Sequence, residues 1–176
     1  MDTDLTYSDA TKLAELIRNR EVTSVEVVQA HLDRIDAINP KINGIVTWAA
    51  GALDDAVAAD AALAAGAAVG PLHGVPFTAK DSIDTAEVMT QRGSPIFKGR
   101  SPGADATCVA RIRNAGGILI AKTNLPEFSY STESDNLLTG RSNNPSTATG
   151  TSSRGATGTP ICSTAAWPIG KTSSIA

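Results

Sequence analysis

The sequence predicts an α/β fold, and three features carry that expectation. Two apolar runs, at residues 74–80 and 118–121, have the length and the flanking glycines of buried strands. A strongly amphipathic helical pattern occupies residues 24–38. A later helical stretch, starting at Asp105, closes on Gly116-Gly117 and passes directly into the second apolar run. Helix, glycine turn and buried strand in succession is the rhythm of a sheet covered on both faces.

Taken in order, Ser8 or Asp9 is placed to cap a first helix whose Leu13, Leu16 and Ile17 share a face. Thr23 and Glu26 form a capping box, behind which Val25, Val28, Leu32, Ile35 and Ile38 recur at spacings of three and four. Pro40 reads as a stop signal just beyond that helix. Residues 44–48 suggest a short strand. The alanine-rich stretch 49–68 favours helix by propensity, and Leu53, Val57 and Leu63 give it an apolar stripe. Gly70-Pro71 ends it, and the strand Gly74-Val75-Pro76-Phe77-Thr78-Ala79 leads to Lys80. Residues 85–104 read as loop, rich in glycine and proline. Helix and strand follow as described, and residues 118–121 run out into Lys122-Thr123-Asn124. From Thr139 the chain is dominated by Thr, Ser, Gly, Asn and Ala, which is loop by composition. Residues 159–176 show no period. The chain therefore divides into a helical region 1–69, an α/β core 70–145 and a Ser/Thr/Gly-rich tail 146–176.

Composition excludes several classes of function. In 176 residues, 41% are hydrophobic and 19% charged, so disorder is not expected for most of the chain. A net charge of −3 argues against a nucleic-acid partner, which needs a basic face. No run of 18 apolar residues exists to span a membrane. Acidic residues stand at the N-terminus where a signal peptide needs a basic segment, so the expected location is cytoplasmic. Cys108, on the helical stretch that begins at Asp105, reads as a small core residue, and both it and Cys162 are expected reduced. His31, read as a surface residue of its helix, and His73 lie far apart and lack triad or zinc-site context. Any base in this protein is expected not to be histidine.

Three groups of residues can carry chemistry. Lys80 closes an apolar strand, where open α/β sheets place functional groups. Burial lowers a lysine pKa, and bringing it down by roughly three units costs about 4 kcal/mol, which has a use only if the neutral amine acts as a base. The other reading pairs Lys80 with Asp81 or Asp84 at the surface, and on the residues alone both stay open. The loop Gly150-Thr151-Ser152-Ser153-Arg154-Gly155 offers adjacent hydroxyls flanked by glycine, suited to proton transfer or equally to a flexible linker. In residues 123–128 and 140–145, Glu127 reads as a structural carboxylate, and the asparagines as residues that hold loop backbone.

Together the stretches GPLHGVPFTAKDSID (70–84), GADATCVARIRNAGGILIAKTNLPEF (103–128) and STESDNLLTGRSNNP (131–145) resemble the amidase signature family. The resemblance covers about residues 5–145. It implies the N-terminal portion of that family's fold, a mixed sheet flanked by helices, with the C-terminal half absent. It implies hydrolysis of carboxamide C–N bonds through a Ser–cis-Ser–Lys triad, without cofactor or metal, on a small amide substrate. By the family's pattern Lys80 is the terminal base and Ser152 the bridging serine. The pattern is altered here: Ser146 replaces a tryptophan after Asn144-Pro145, and Arg154 replaces a glycine. The nucleophile's usual spacing counts to Ala176, and neither Ser173 nor Ser174 has the glycines and aspartate that mark it. The expectation is a truncated, split or frameshifted coding sequence whose isolated product has little or no activity. A homodimer or a complementing C-terminal chain are the partners this implies. A non-catalytic remnant and the amidase subunit of a tRNA-dependent amidotransferase are the alternatives.

Overall fold

The computed structural model describes residues 5–144 and the backbone of residues 162–164. Helix α1 (Ala10–Arg18) starts at Asp9, whose carboxylate accepts the Lys12 N–H at 2.8 Å. Helix α2 (Ser24–Ile42) starts with the expected capping box, in which Thr23 and Glu26 satisfy each other's backbone N–H. Its first turn has a second anion, because Asp60 of helix α3 (Ala52–Ala64) accepts the N–H groups of Ser24 and Val25 at 2.7 and 3.1 Å. That carboxylate ties the two helices together while filling donors the helix itself leaves open.

Pro40 does not stop α2 but lies within its last turn. The helix ends instead at Asn43, in left-handed conformation with φ 49°, and the Asn39 side chain takes up the N–H groups of Gly44 and Ile45. The expected stripe on α3 also differs. Its fully buried residues are Ala52 and Ala56, and Leu63 packs against the cluster around Leu13 and Ile17 as expected, whereas Leu53 lies at the surface and Val57 is 57% exposed. Small side chains let α3 approach the sheet closely, and packing distance outweighs hydrophobicity here. His31 is a further correction. It is buried in α2, with Nδ1 2.7 Å from the Val27 carbonyl oxygen.

Four strands, β1 (Ile45–Trp48), β2 (Pro76–Lys80), β3 (Ile118–Thr123) and β4 (Cys162–Thr164), form one mixed sheet in the order β1-β3-β2-β4. Strand β2 runs parallel to β3. Strand β1 lies antiparallel on the other side of β3, and β4 pairs antiparallel with β2. No period in residues 159–176 announced that last strand. Helices α2 and α3 cover one face, where Val28, Ala52 and Ala56 pack on Ile118, Ile120 and Ala121. Helix α4 (Thr107–Asn114) covers the other, with Val109 against Phe77, Ala79 and Leu119. Cys108 is a partly buried free thiol beside that cluster. Strand β3 is buried over its first five residues and forms the spine of the domain.

The turn from α4 into β3 needs glycine. Gly116 has φ +94°, and a Cβ there would lie 2.7 Å from the His73 Cα, backbone that has no room to yield. Replacing Gly116 with alanine is expected to destabilise the fold by about 2–4 kcal/mol, from strain and overlap together. Urea unfolding followed by circular dichroism measures it, and a loss below about 0.5 kcal/mol, the usual range of surface changes, contradicts the account.

Candidate active site

The C-terminal ends of β2 and β3 lie side by side, with Ala79 opposite Lys122 and Lys80 opposite Thr123. Side chains alternate along a strand. Since Phe77 and Ala79 pack towards α4, the alternation assigns Thr78 and Lys80 to the opposite face. Lys80 is half-buried. Its two acidic neighbours are both engaged elsewhere. Asp84 is clamped by Arg100 through two bonds of 2.8 Å, with Arg92 at 3.5 Å. The Arg100 hydrogen bonds hold its carboxyl below the ordinary aspartate range. Asp81 is fully buried, and both its oxygens lie 3.1 Å from the Gln91 amide nitrogen. Burial pushes the Asp81 carboxyl above its usual range, while that N–H and the charge of Lys122 pull it back. Among the described residues, Lys80 has no carboxylate partner in an ion pair. The surface pairing with Asp81 or Asp84 that the sequence left open is therefore not formed.

The lysine that the fold keeps out of water is Lys122. It is 0% exposed, and its ammonium donates to the Ile83 carbonyl, to Thr85 Oγ1 at 3.0 Å and to Thr90 Oγ1 at 2.8 Å. Three donors meet three acceptors. The Thr85 and Thr90 hydroxyls lie 3.2 and 3.3 Å from the Val88 carbonyl, to which they can donate in turn. Burial lowers the Lys122 pKa to about 8, against the opposing pull of Asp81, Asp84 and Asp105. In sequence the second apolar strand ends at Ala121, which leaves Lys122 outside it. A signal was available: Ile118-Leu119-Ile120-Ala121-Lys122 repeats the pattern of apolar strand ending in lysine seen at Lys80.

Two further groups behave as structural polar residues. Glu127 accepts the Ser94 hydroxyl at 2.6 Å. Asn124 and Asn136 bond each other at 3.0 Å and, with Thr139 and Ser142, knot the loop after β3 to the end of α2. Ser152, the second site residue expected from the sequence, lies outside the described residues, as do Ser173 and Ser174. Among the described residues no group of His, Cys, Asp and Glu side chains is arranged to hold a metal, and no helix is long and apolar enough to cross a membrane.

A lysine-bearing strand end, capped by a loop with buried charges, within a helix-flanked mixed sheet defines an α/β domain of a particular kind. The family model for the amidases matches residues 26–157, a stretch that includes both Lys80 and Ser152, and the chain belongs to that family. A glutamyl-tRNA(Gln) amidotransferase subunit from Acidothermus cellulolyticus is 44% identical over 143 residues, which are 81% of this chain and 28% of that protein. Indoleacetamide hydrolase of Bradyrhizobium diazoefficiens is 41% identical over 77% of this chain and 26% of its own length. Among solved structures, the peptide amidase of Stenotrophomonas maltophilia superposes with a TM-score of 0.73 at 32% identity, over 78% of this chain and 30% of that one. The chain thus spans less than a third of the length of each of these relatives.

The buried lysine makes a pH prediction whose sign follows from linkage. Its pKa is near 8 when folded against 10.5 for the ordinary side chain. Between those values the unfolded chain binds the extra proton, so this group makes stability rise with pH, by up to about 1.4 kcal/mol per unit. Urea unfolding of the wild type and of Lys122→Met from pH 8 to 10.5 is expected to show the wild type gaining stability relative to the variant. Parallel curves for the two proteins contradict the assignment of a buried ammonium.

Proposed function

We propose that this chain is the base-bearing part of an amide hydrolase that cleaves carboxamide C–N bonds through a Ser–cis-Ser–Lys triad. Lys80 is the terminal base and Ser152 the bridging serine. The observation that carries the reading is the placement of Lys80 at a strand end of an amidase-family domain, with Asp81 and Asp84 both turned to other partners. In this mechanism the neutral Lys80 amine takes the proton of the Ser152 hydroxyl as Ser152 takes that of the nucleophilic serine. The nucleophile's oxygen bonds to the amide carbonyl carbon, and the proton returns to the departing nitrogen as the C–N bond breaks. Water then cleaves the acyl-enzyme, leaving a carboxylic acid. No cofactor enters. A small amide is the substrate, the location cytoplasmic, and a complementing C-terminal chain or a second copy the partner.

One observation favours a second reading. Glutamyl-tRNA(Gln) amidotransferase subunits from four bacterial strains match this chain at 41–44% identity. Under that reading ammonia passes to a partner-bound acceptor. Hydrolysis of free small amides by the chain speaks for the first reading, and turnover only with partner proteins and charged tRNA for the second.

The test measures ammonia release from a small carboxamide by the chain, alone and co-expressed with a polypeptide covering the rest of the amidase domain of a relative. Activity is expected in the co-expressed assembly, and Lys80→Met is expected to lower kcat by about 10²–10⁴-fold, the usual weight of a proton-transfer group. Ser152→Ala is expected to act similarly. Hydrolysis that survives Lys80→Met undiminished sinks the assignment.

A further inference from the structure

We infer that Lys122 is a positioning residue for Lys80, acting through the backbone of the loop that follows β2. The connection is short and continuous. The Lys122 ammonium holds the carbonyl of Ile83, and the N–H of Ile83 donates to the carbonyl of Lys80 at 2.8 Å. The N–H of that same peptide group, carried by Asp81, donates at 3.0 Å to the carbonyl of Thr123, the residue next to Lys122. The peptide group that follows the Lys80 Cα is therefore held through both its C=O and its N–H to one segment of β3. The remaining donors of Lys122 go to Thr85 and Thr90, which fold the loop back over the strand ends. Asp81 completes the closure by accepting Gln91 N–H, while its carbonyl takes the N–H of Arg92 at 3.1 Å.

Chemically, the arrangement assigns two lysines on adjacent strands to different tasks. Lys122 has every donor committed and no exposed surface, so it is a fixed anchor. Lys80, one register position along on the neighbouring strand, ends the strand with its side chain directed to the other face. Its geometry is set by the anchor rather than by an ion pair of its own. The functional weight of this inference rests on Lys80 being the base proposed above, but the positional claim is testable without turnover.

The experiment uses the 176-residue chain and its Lys122→Met variant under native conditions. Amide hydrogen exchange is read at Ile83, Gln91 and Arg92 and, as reference, within α2. Acylation of each lysine by an activated acetate ester is mapped by mass spectrometry. Losing a charged hydrogen-bond donor is expected to speed exchange of the loop amides by about tenfold or more, with α2 unchanged. Lys80 acylation is expected to accelerate, with Lys41 and Lys98 at wild-type rates. Equal acceleration in α2, which marks a global loss of stability, or an unchanged Lys80 rate overturns the inference. If Lys122→Met does not melt cooperatively, Thr90→Val, which removes a single acceptor, is read by the same criteria.

Discussion

An ammonium with no access to water must have every N–H accepted, and that requirement at Lys122 organises the C-terminal ends of β2 and β3. An unpaired charge in an apolar interior is so unfavourable that the surrounding chain folds to meet it. Here the answering oxygens come from residues 83–90, which would otherwise be an exposed connection between the strand and the loop beyond it. A buried charge of opposite sign, Asp81, fastens residues 91–92 of the same loop, and the two charges face one another across it electrostatically. Buried charges of this kind add little net stability, since desolvation offsets attraction. What they enforce is a unique arrangement, because any slip of the loop leaves one of them without partners. Positive φ values at Glu87 and Arg92, 64° and 57°, show that the loop accepts backbone strain to satisfy them.

Where local chemistry decides the structure, the sequence is legible. The Thr23–Glu26 capping box, the Gly116-Gly117 turn and the apolar strands around Phe77 and Leu119 each follow from interactions within a few residues, and each forms as expected. The differences arise where a distant partner decides. Pro40 stays in α2, which ends at Asn43, a residue whose side chain donates to the distant carbonyls of Thr139 and Arg141. Val57 faces water because the sheet selects the alanine face of α3 for close approach. His31 is buried because the α2 face that carries it is covered, which a single helix pattern does not reveal.

The site divides along the same line. Lys80 is visible in the sequence because a charge at the end of an apolar strand is conspicuous. The fate of Asp81 and Asp84 is not, since Gln91 and Arg100 reach them from ten and sixteen residues away. Sequence proximity suggested that these aspartates neutralise Lys80. Folding gives them instead to a backbone amide and a guanidinium, partners whose geometry suits a carboxylate better.

Desolvation alone does not identify a base, as the two lysines show. Lys122 is the drier, and its pKa is displaced towards neutrality, which by that criterion makes it the stronger candidate. Yet a proton acceptor needs a free lone pair aimed at the group it deprotonates, and access for that group. The ammonium of Lys122 points all three N–H bonds at a carbonyl and two threonine hydroxyls, and those hydroxyls have the Val88 carbonyl within reach as their own acceptor. Its lowered pKa records the desolvation of a charge held away from water rather than readiness to react. Lys80 is under no such commitment among the described residues, and its strand position leaves the amine able to meet a hydroxyl from elsewhere in the chain. An anchor needs its N–H bonds committed and the base proposed at Lys80 needs an uncommitted amine, and one register step between neighbouring strands separates the two positions.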